Sequence, residues 1–310
     1  MTREVQTMRA TALTTLLVGM LVGNRFASPD EISLETDGKT EQPTVDEGIQ
    51  RRVRMSIEDL KAIDRTRPVA MANGDLQYLD IIAEEVTGLD VFGSNVYRGI
   101  SFRDLFDRVE ATLGIPVMLT EFGADAFNAK EFEEDQVTQA RYLLAQWQEI
   151  YANSHGKGLA GNSIGGLTFQ WSDGWWKYRQ TERLDVQDIN ASWPNDAYPE
   201  DYVEGRNNMN EEWWGITAKG RPDGKGLFEL YPRAAYYALK DAYTLDPYGP
   251  GTDLATINAH FDALDPQQAA LAARADKTAL TADKLGPVRL SEVRMELETY
   301  STGGKLISTP

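Results

Sequence analysis

The sequence contains no cysteine among its 310 residues and only two histidines, His155 and His260. The absence of cysteine excludes a disulfide framework, a thiolate zinc site and a cysteine nucleophile, and two histidines are too few for a histidine-rich metal site. Any catalysis must therefore come mainly from carboxylates, hydroxyls, amides and aromatic side chains. The same absence leaves the redox compartment open, because a cysteine-free chain suits the cytosol and the periplasm equally.

Positive charge is also scarce. The 31 Lys and Arg residues face 48 Asp and Glu, which gives a formal net charge of -17 and an isoelectric point near 4.6. Such a field repels phosphate backbones and anionic membrane surfaces, so we expect no nucleic-acid partner. Hydrophobic residues at 42% and charged residues at 25% are typical of a globular chain with a real core. The length is consistent with one large domain and an appendage.

The chain lacks a hydrophobic run long enough to cross a bilayer. Its longest apolar stretch, Ala10–Gly23, falls short of the ~20 residues that a spanning helix needs, so no transmembrane segment is expected. Because the stretch follows Arg3 and Arg9, one interpretation is a signal peptide, although residues 24–27 lack the small-x-small pair that signal peptidase prefers. The other interpretation is a buried parallel strand at Leu16–Val22.

Short apolar runs alternate with segments of helical periodicity between residues 46 and 171. The runs are apolar throughout rather than alternating, which is typical of parallel strands buried on both faces. The pattern predicts an α/β fold, either a TIM-type barrel or a doubly wound sheet. No Gly-rich phosphate loop follows a strand, which weighs against a nucleotide-binding sheet. The predicted strands are Val69–Ala72, Leu89–Gly93, Ile115–Thr120 and Ile164–Trp171, and the predicted helices are Asp46–Asp64, Tyr78–Glu85, Phe102–Leu113 and Glu133–Asn153.

The remainder of the chain divides into a loop, helices and a final strand. Residues 172–214 have no periodicity and predict a long functional loop, rich in aromatic and acidic residues. Helical periodicity returns at Tyr231–Tyr243 and at Leu254–Ala282, where Asp265-Pro266 predicts a break. Strict alternation at Val288–Thr299 predicts a half-exposed antiparallel strand. We therefore expect a barrel portion over residues 1–245, a helical linker over 246–286 and the start of a β-rich accessory domain over 287–310.

Polar side chains follow three of the predicted strands. Glu121 ends one strand, Asn95 and Tyr97 close another, and Trp171 and Asp173 close a third. Catalytic groups of a parallel barrel lie at the carboxyl ends of its strands, so these residues predict one functional rim. A tyrosine hydroxyl can orient a carboxylate, and an indole can stack on a sugar. The alternative is that the carboxylate is held by loop amides and that the aromatic rings only pack the rim.

The long loop and its borders carry an unusual number of aromatic residues. Flat rings interleaved with Asn, Asp and Gln are typical of a carbohydrate groove, although some of the rings could instead anchor the loop. The acidic residues of the same loop lack the spacing of a calcium loop and are interpreted as a solvated face. The aromatic set is Trp171, Trp175, Trp176, Tyr178, Trp193, Trp213 and Trp214.

Together these motifs resemble the C-terminal half of the catalytic barrel of family-2 glycoside hydrolases, the group that includes β-glucuronidases and β-galactosidases. The resemblance implies the fourth to eighth strands of a (β/α)8 barrel, and therefore an incomplete barrel. It also implies that Glu121 is the nucleophile of a retaining β-glycosidase, Tyr97 its supporting tyrosine and Trp171 an aromatic platform. The motifs are Arg67-Pro68-Val69, Asp90–Tyr97, Pro116–Asp125, Gly166–Asp173, Trp214-Gly215-Ile216, Lys219–Gly226 and Tyr231–Tyr236.

The sequence departs from this family at one decisive position. Retaining glycosidases need a second carboxylate, and the resemblance implies a Glu after the Asn that ends the fourth strand. Here Asn24 takes the place of that Asn, but Arg25 follows it. The match itself favours the strand interpretation of the N-terminus over the signal peptide. Nearby acids could substitute, but spacing selects none of Asp30, Glu31 and Glu35.

Two functional hypotheses follow. The first is a retaining β-glycosidase that hydrolyses or transglycosylates a β-glycoside, with Asn95, Asn24, Asp173, Trp171, Trp175 and Trp176 as substrate-binding residues. The second is a non-catalytic or vestigial carbohydrate-binding barrel fragment without an acid/base. Either way the expected partner is a carbohydrate, no cofactor or metal is required, and a periplasmic or secreted location is favoured over a cytoplasmic one.

Overall fold

The structure is a computed structural model that describes residues 45–175, 186–222, 226–275, 278–279 and 286–287. Several predictions lie outside these residues. They are the two interpretations of the N-terminal apolar stretch, the predicted site residues Asn24 and Trp176, the aromatic residue Tyr178, the candidate acids Asp30, Glu31 and Glu35, and the predicted strand Val288–Thr299.

The first part of the described chain alternates helix and strand, as predicted. Each predicted strand and helix is present within a few residues of its expected position, because continuous apolar runs and helical periodicity are the strongest local signals. The elements are α1 (Val45–Ile63), β1 (Ala70–Gly74), α2 (Leu79–Glu85), β2 (Val91–Val96), α3 (Leu105–Thr112), β3 (Val117–Phe122), β4 (Phe127–Asn128), β5 (Glu133–Glu134), α4 (Gln136–Ala152) and β6 (Ser163–Thr168).

The second part begins with an irregular segment and ends in helices. Residues 169–175 and 186–210 contain no helix or strand, which agrees with the predicted loop. The two helices predicted around Asp265-Pro266 are present, but the second ends at Ala275 rather than near Ala282, and Thr278–Ala279 is a short strand paired with Gly286–Pro287. Pro266 is the first residue of the second helix, a position where its missing N–H costs nothing. The elements are a 3-10 turn (Glu211–Trp213), β7 (Thr217–Pro222), β8 (Phe228–Pro232), α5 (Ala234–Ala242), α6 (Leu254–Asp262), α7 (Pro266–Ala275), β9 (Thr278–Ala279) and β10 (Gly286–Pro287).

Four parallel strands form the main sheet in the order β1-β2-β3-β6. The first two pair in register from Ala70 beside Val91 to Gly74 beside Asn95. The order follows the chain in one direction, without the reversal that defines the switch point of a doubly wound sheet. Strand β2 is almost entirely buried, as its continuous apolar run predicts.

The chain folds into two compact units, each assembled from separate stretches of sequence. The first contains the described residues up to Val96 together with residues 103–121 and 153–166. Its core is formed by Leu79, Ile82, Phe92, Leu105, Val109, Val117 and Leu119. The second contains residues 97–102, 122–152 and the described residues from Leu167 onward. One buried cluster of its core is formed by Ala124, Tyr142, Tyr198, Met209 and Trp214.

The hairpin of β7 and β8 was not predicted, because the mixed polar run around Lys219 indicated only a turn. Three helices also begin three residues later than expected, among them the one predicted from Phe102, which begins at Leu105. The helix predicted from Glu133 begins at Gln136, since β5 pairs with β4 and the Asp135 carboxylate accepts a 3.0 Å hydrogen bond from the Thr138 N–H. The helix predicted from Tyr231 begins after Arg233, whose backbone is extended.

Candidate active site

Glu121 and Asn95 lie at the carboxyl ends of two neighbouring strands of the parallel sheet. Glu121 is the penultimate residue of β3 and Asn95 that of β2, and both side chains are half-buried. The hydroxyl of Thr120, next to Glu121, donates a 2.6 Å hydrogen bond to Asn95 Oδ1. The structure therefore brings these two predicted residues to one edge of the sheet, with the Asn95 amide held in a defined orientation.

Tyr97 lies just after β2, in the second unit, and is held by two tryptophans. Its ring centroid lies 4.9 Å from that of Trp214, at an interplanar angle of 83°, and 6.2 Å from that of Trp193, at 72°. Such edge-to-face pairs are the preferred geometry of aromatic rings. The Tyr97 carbonyl accepts a 3.0 Å hydrogen bond from Asn195 Nδ2. Part of the predicted aromatic set therefore orients a predicted site residue.

Trp171 is the exposed aromatic side chain of the segment after β6. Its side chain is 54% exposed, and its indole meets the ring of Tyr236 at 6.0 Å and 68°. The Trp171 carbonyl accepts hydrogen bonds from the Thr217 hydroxyl at 2.7 Å and from the Thr217 N–H at 3.0 Å. A fixed backbone with an exposed indole is suited to stacking on a sugar face.

Trp175 differs from Trp171 although only four positions separate them. Trp175 is buried, and its ring meets that of Phe228 at 5.7 Å. The Lys219 ammonium lies 5.4 Å from the Trp175 ring centroid and 4.8 Å from that of Phe228, a cation–π arrangement. Burial lowers the pKa of Lys219. The β7–β8 hairpin thus covers the indole that we predicted to be a sugar platform, and the geometry gives Trp175 a packing role.

Asp173, predicted as a sugar ligand, is enclosed instead. Its carboxylate accepts hydrogen bonds from Arg233 Nη1 at 2.6 Å and Nη2 at 2.8 Å, from the Gly215 N–H at 3.0 Å and from Gln187 Nε2 at 3.1 Å. Burial raises the pKa of Asp173, and the Arg233 guanidinium opposes that rise. Because both oxygens are occupied within the protein, Asp173 is placed to hold the loop rather than a ligand.

Arg233 is a structural centre that sequence analysis did not identify. Besides Asp173, its guanidinium donates to Glu134 Oε1 at 2.7 Å and to the Gly215 carbonyl at 2.7 Å. In the sequence Arg233 is only a cation next to the Tyr231-Pro232 pair. Neighbouring residues cannot predict that its partner is Asp173, which lies 60 residues earlier in the chain.

Two buried glutamines on α4 hold backbone carbonyls of the second unit. Gln146 Nε2 donates to the carbonyls of Gly99 at 2.8 Å and Gly123 at 3.3 Å, and Gln139 Nε2 donates to that of Ala124 at 3.1 Å. Both side chains are fully buried. The sequence predicts this helix but not these contacts, because buried amides at helical spacing carry no sign of their partners.

A small acidic cavity lies within the second unit. Its volume of about 20 Å³ is enough for one water molecule. Burial raises the pKa of Asp125 well above its usual range, and the Asn210 N–H, which donates to it at 2.6 Å, opposes that rise. Among the residues that the structure describes, no group of three or more His, Asp or Glu side chains could hold a metal ion. The lining includes Asp125, Asp135, Tyr142, Tyr198, Glu200 and Asp201.

In the described ranges, no helix is long and apolar enough to cross a membrane. No protein-family model matches the chain, and no curated protein sequence matches it.

Solved structures with some likeness to the chain include glycoside-active enzymes. A β-glucuronidase of Bacteroides uniformis is 15% identical with a TM-score of 0.39, over 64% of this chain and 20% of its own. A putative β-galactosidase of Bacteroides fragilis is 17% identical with a TM-score of 0.38, over 65% of this chain and 26% of its own. An active-site mutant of the Rhizomucor miehei β-1,3-glucanosyltransferase is 15% identical with a TM-score of 0.34, over 56% of this chain and 54% of its own.

Proposed function

We propose that this chain is part of a retaining β-glycosidase barrel in which Glu121 is the nucleophile. The observation that carries the proposal is the place of Glu121 at the carboxyl end of a buried parallel strand, beside a neighbouring strand that ends in Asn95. Strands β1, β2, β3 and β6 would be four consecutive barrel strands, which their order in the sheet supports.

The proposed reaction is a double displacement. The Glu121 carboxylate attacks the anomeric carbon while an acid protonates the leaving oxygen, and the glycosidic bond is replaced by a glycosyl ester. Water, or the hydroxyl of an acceptor sugar, then gives its proton to the conjugate base of that acid and attacks the same carbon, which breaks the ester and restores the Glu121 carboxylate. Tyr97 would orient the nucleophile, and the Asn95 amide would bind a hydroxyl of the bound sugar. The exposed indole of Trp171 would stack on a sugar ring.

The second candidate is a carbohydrate-binding barrel without turnover. One specific observation favours it, namely that Arg25 follows Asn24 where the family resemblance implies the acid/base Glu. In this case the exposed Trp171 would still bind sugar, but no group would protonate the leaving oxygen.

Covalent labelling tests the nucleophile separately from the acid. The purified chain is incubated with a panel of 2-fluoro-glycosides bearing activated leaving groups, which leave without acid assistance, and its intact mass is measured. We expect the mass to rise by one glycosyl unit in the wild type and in Glu131→Gln, whose carboxylate is exposed, but not in Glu121→Gln. A folded wild-type chain that gains no mass with any sugar would overturn the enzyme proposal in favour of the binding one.

A further inference from the structure

Arg233 is a buried cation of the second unit. It is 1% exposed, yet it makes four hydrogen bonds, to both oxygens of Asp173, to Glu134 and to the Gly215 carbonyl. Three of its nitrogens donate in fixed directions, a pattern that the planar guanidinium fork allows and a lysine ammonium does not. Breaking such a buried network leaves polar groups without partners, so its members hold one another rigidly.

The Asp173–Arg233 pair fixes Gly215 through both of its backbone polar groups. Asp173 accepts from the Gly215 N–H, and Arg233 donates to the Gly215 carbonyl at 2.7 Å, closer than the second donor Gln139 Nε2 at 3.2 Å. A Cβ atom at Gly215 would lie 2.3 Å from the Asp173 nitrogen and 2.4 Å from the Thr217 carbonyl oxygen. The backbone here has therefore no room for a side chain and little room to shift.

Gly215 is covalently joined to Trp214, whose indole is the nearer aromatic neighbour of Tyr97. Trp214 is 2% exposed, and its carbonyl accepts a 3.0 Å hydrogen bond from the Gln170 N–H. The ring of Tyr97 meets the Trp214 ring at 4.9 Å. A rotation of the backbone at Gly215 would therefore move the indole that Tyr97 packs against.

We propose that Arg233 is a positioning residue that acts through Asp173 and Gly215 to fix Trp214 and, through Trp214, the ring of Tyr97. All five residues belong to the second unit. Arg233 touches no substrate in this arrangement, because it is 1% exposed and each of its three guanidinium nitrogens donates to a protein group. Its effect on reactivity, as distinct from its effect on Trp214, rests on the proposed function.

The first test is near-ultraviolet circular dichroism, which reports the packing of tyrosine and tryptophan without any ligand. Arg233→Lys keeps the charge but loses the planar guanidinium geometry, and Lys240→Gln, the control, removes an exposed cation from α5, the helix that follows Arg233. We expect Arg233→Lys to lose the part of the aromatic signal that depends on the packing of Trp214 and Tyr97, with an unchanged far-ultraviolet spectrum, and Lys240→Gln to match the wild type. The loss should disappear when the same substitution is made in a Trp214→Phe background.

Two results would overturn the inference. One is an unchanged aromatic spectrum in Arg233→Lys, and the other is an equal loss with and without Trp214. If Arg233→Lys does not fold, Asp173→Asn, which keeps the side-chain volume, replaces it in the same comparison.

The second test measures labelling by the 2-fluoro-glycoside that modifies the wild type. We expect Arg233→Lys to lower the rate constant of labelling about 10- to 100-fold, because misplacement of a supporting group mainly affects the bond-forming step. The dissociation constant of the reversible complex should change by less than about threefold. An unchanged rate constant would refute the positioning role in catalysis while the proposed function stands. If no reagent labels the wild type, the proposed function fails, and the spectroscopic comparison alone decides whether Arg233 positions Trp214.

Discussion

The hydroxyl of Tyr198 donates a 2.7 Å hydrogen bond to the carbonyl of Gly123. Gly123 lies two residues beyond Glu121, at the start of the turn that follows β3, and Tyr198 belongs to the irregular segment after residue 186. A Cβ at Gly123 would lie 2.4 Å from the Phe169 carbonyl oxygen, so the backbone here is closely packed. The irregular segment is thus tied to the turn by a buried hydroxyl.

Removing the Tyr198 hydroxyl tests how strongly its hydrogen bond to the Gly123 carbonyl stabilises the fold. We expect Tyr198→Phe to lower the free energy of unfolding by about 1 kcal/mol, because the Gly123 carbonyl keeps a second donor in Gln146. Urea denaturation measures the change, with Tyr78→Phe, whose ring is 42% exposed, as the matched control. A loss equal to that of the control would show that the Tyr198 hydroxyl adds no net stability.

Gly93 provides a test of the parallel sheet. A Cβ at this position would lie 2.2 Å from the Met71 carbonyl oxygen and 2.9 Å from Thr120 Cγ2, and a strand backbone cannot move aside as a side chain can. We expect Gly93→Ala to lower the free energy of unfolding by about 1 to 3 kcal/mol. Gly74→Ala, where the nearest atom is the flexible Gln77 amide at 3.4 Å, should change it far less. Equal losses in thermal or urea unfolding would contradict the packing of β2 between β1 and β3.

The sheet was predictable because its signal is local. Val91 and Phe92, like Val117 and Leu119, belong to apolar runs bounded by helical segments, and burial on both faces of a parallel strand needs no more than that. The polar strand ends Asn95 and Glu121 were predictable for the same reason.

The partners of Asp173 were not predictable, because they are set by contacts far along the chain. Arg233 lies 60 residues away, and the hydrogen bonds that occupy the Asp173 carboxylate form only when the two segments meet.

The sequence also could not distinguish the exposed Trp171 from the buried Trp175, since both lie in one aromatic stretch. The difference comes from Lys219 and Phe228 of the hairpin, which cover only the second indole.

Those two tryptophans provide a paired test of ligand binding against packing. We expect Trp171→Ala to leave the free energy of unfolding nearly unchanged and to weaken reversible sugar binding about threefold to tenfold, the loss of one aromatic stacking contact. Trp175→Ala should instead lower the free energy of unfolding by about 3 to 5 kcal/mol, the usual cost of truncating a buried tryptophan. Urea denaturation and the concentration dependence of 2-fluoro-glycoside labelling measure the two effects. A large stability loss in Trp171→Ala would remove it as an open platform.

The pH dependence of stability tests the environment of Asp125. Burial, with a further contribution from the charge of Asp201, raises the pKa of Asp125 well above its ordinary value of 3.8 in the folded chain. The folded state therefore binds this proton more tightly than the unfolded state. The resulting stabilisation is fully present below the unfolded pKa and is lost as the pH rises through the folded pKa. Asp125→Asn, which cannot ionise, lacks this loss.

We expect the free energy of unfolding of Asp125→Asn, relative to that of the wild type, to increase as the pH rises from about 4 to about 7. Asp64→Asn is the control of opposite sign, because hydrogen bonds from Thr66, with the nearby charge of Arg67, lower the pKa of Asp64. The contribution of Asp64 is lost as the pH falls below about 5, so the difference between Asp64→Asn and the wild type should stay nearly flat from about pH 5 to about pH 7. Urea denaturation at several pH values measures both. A flat difference for Asp125→Asn would mean that its carboxyl ionises in the folded chain as readily as in the unfolded one.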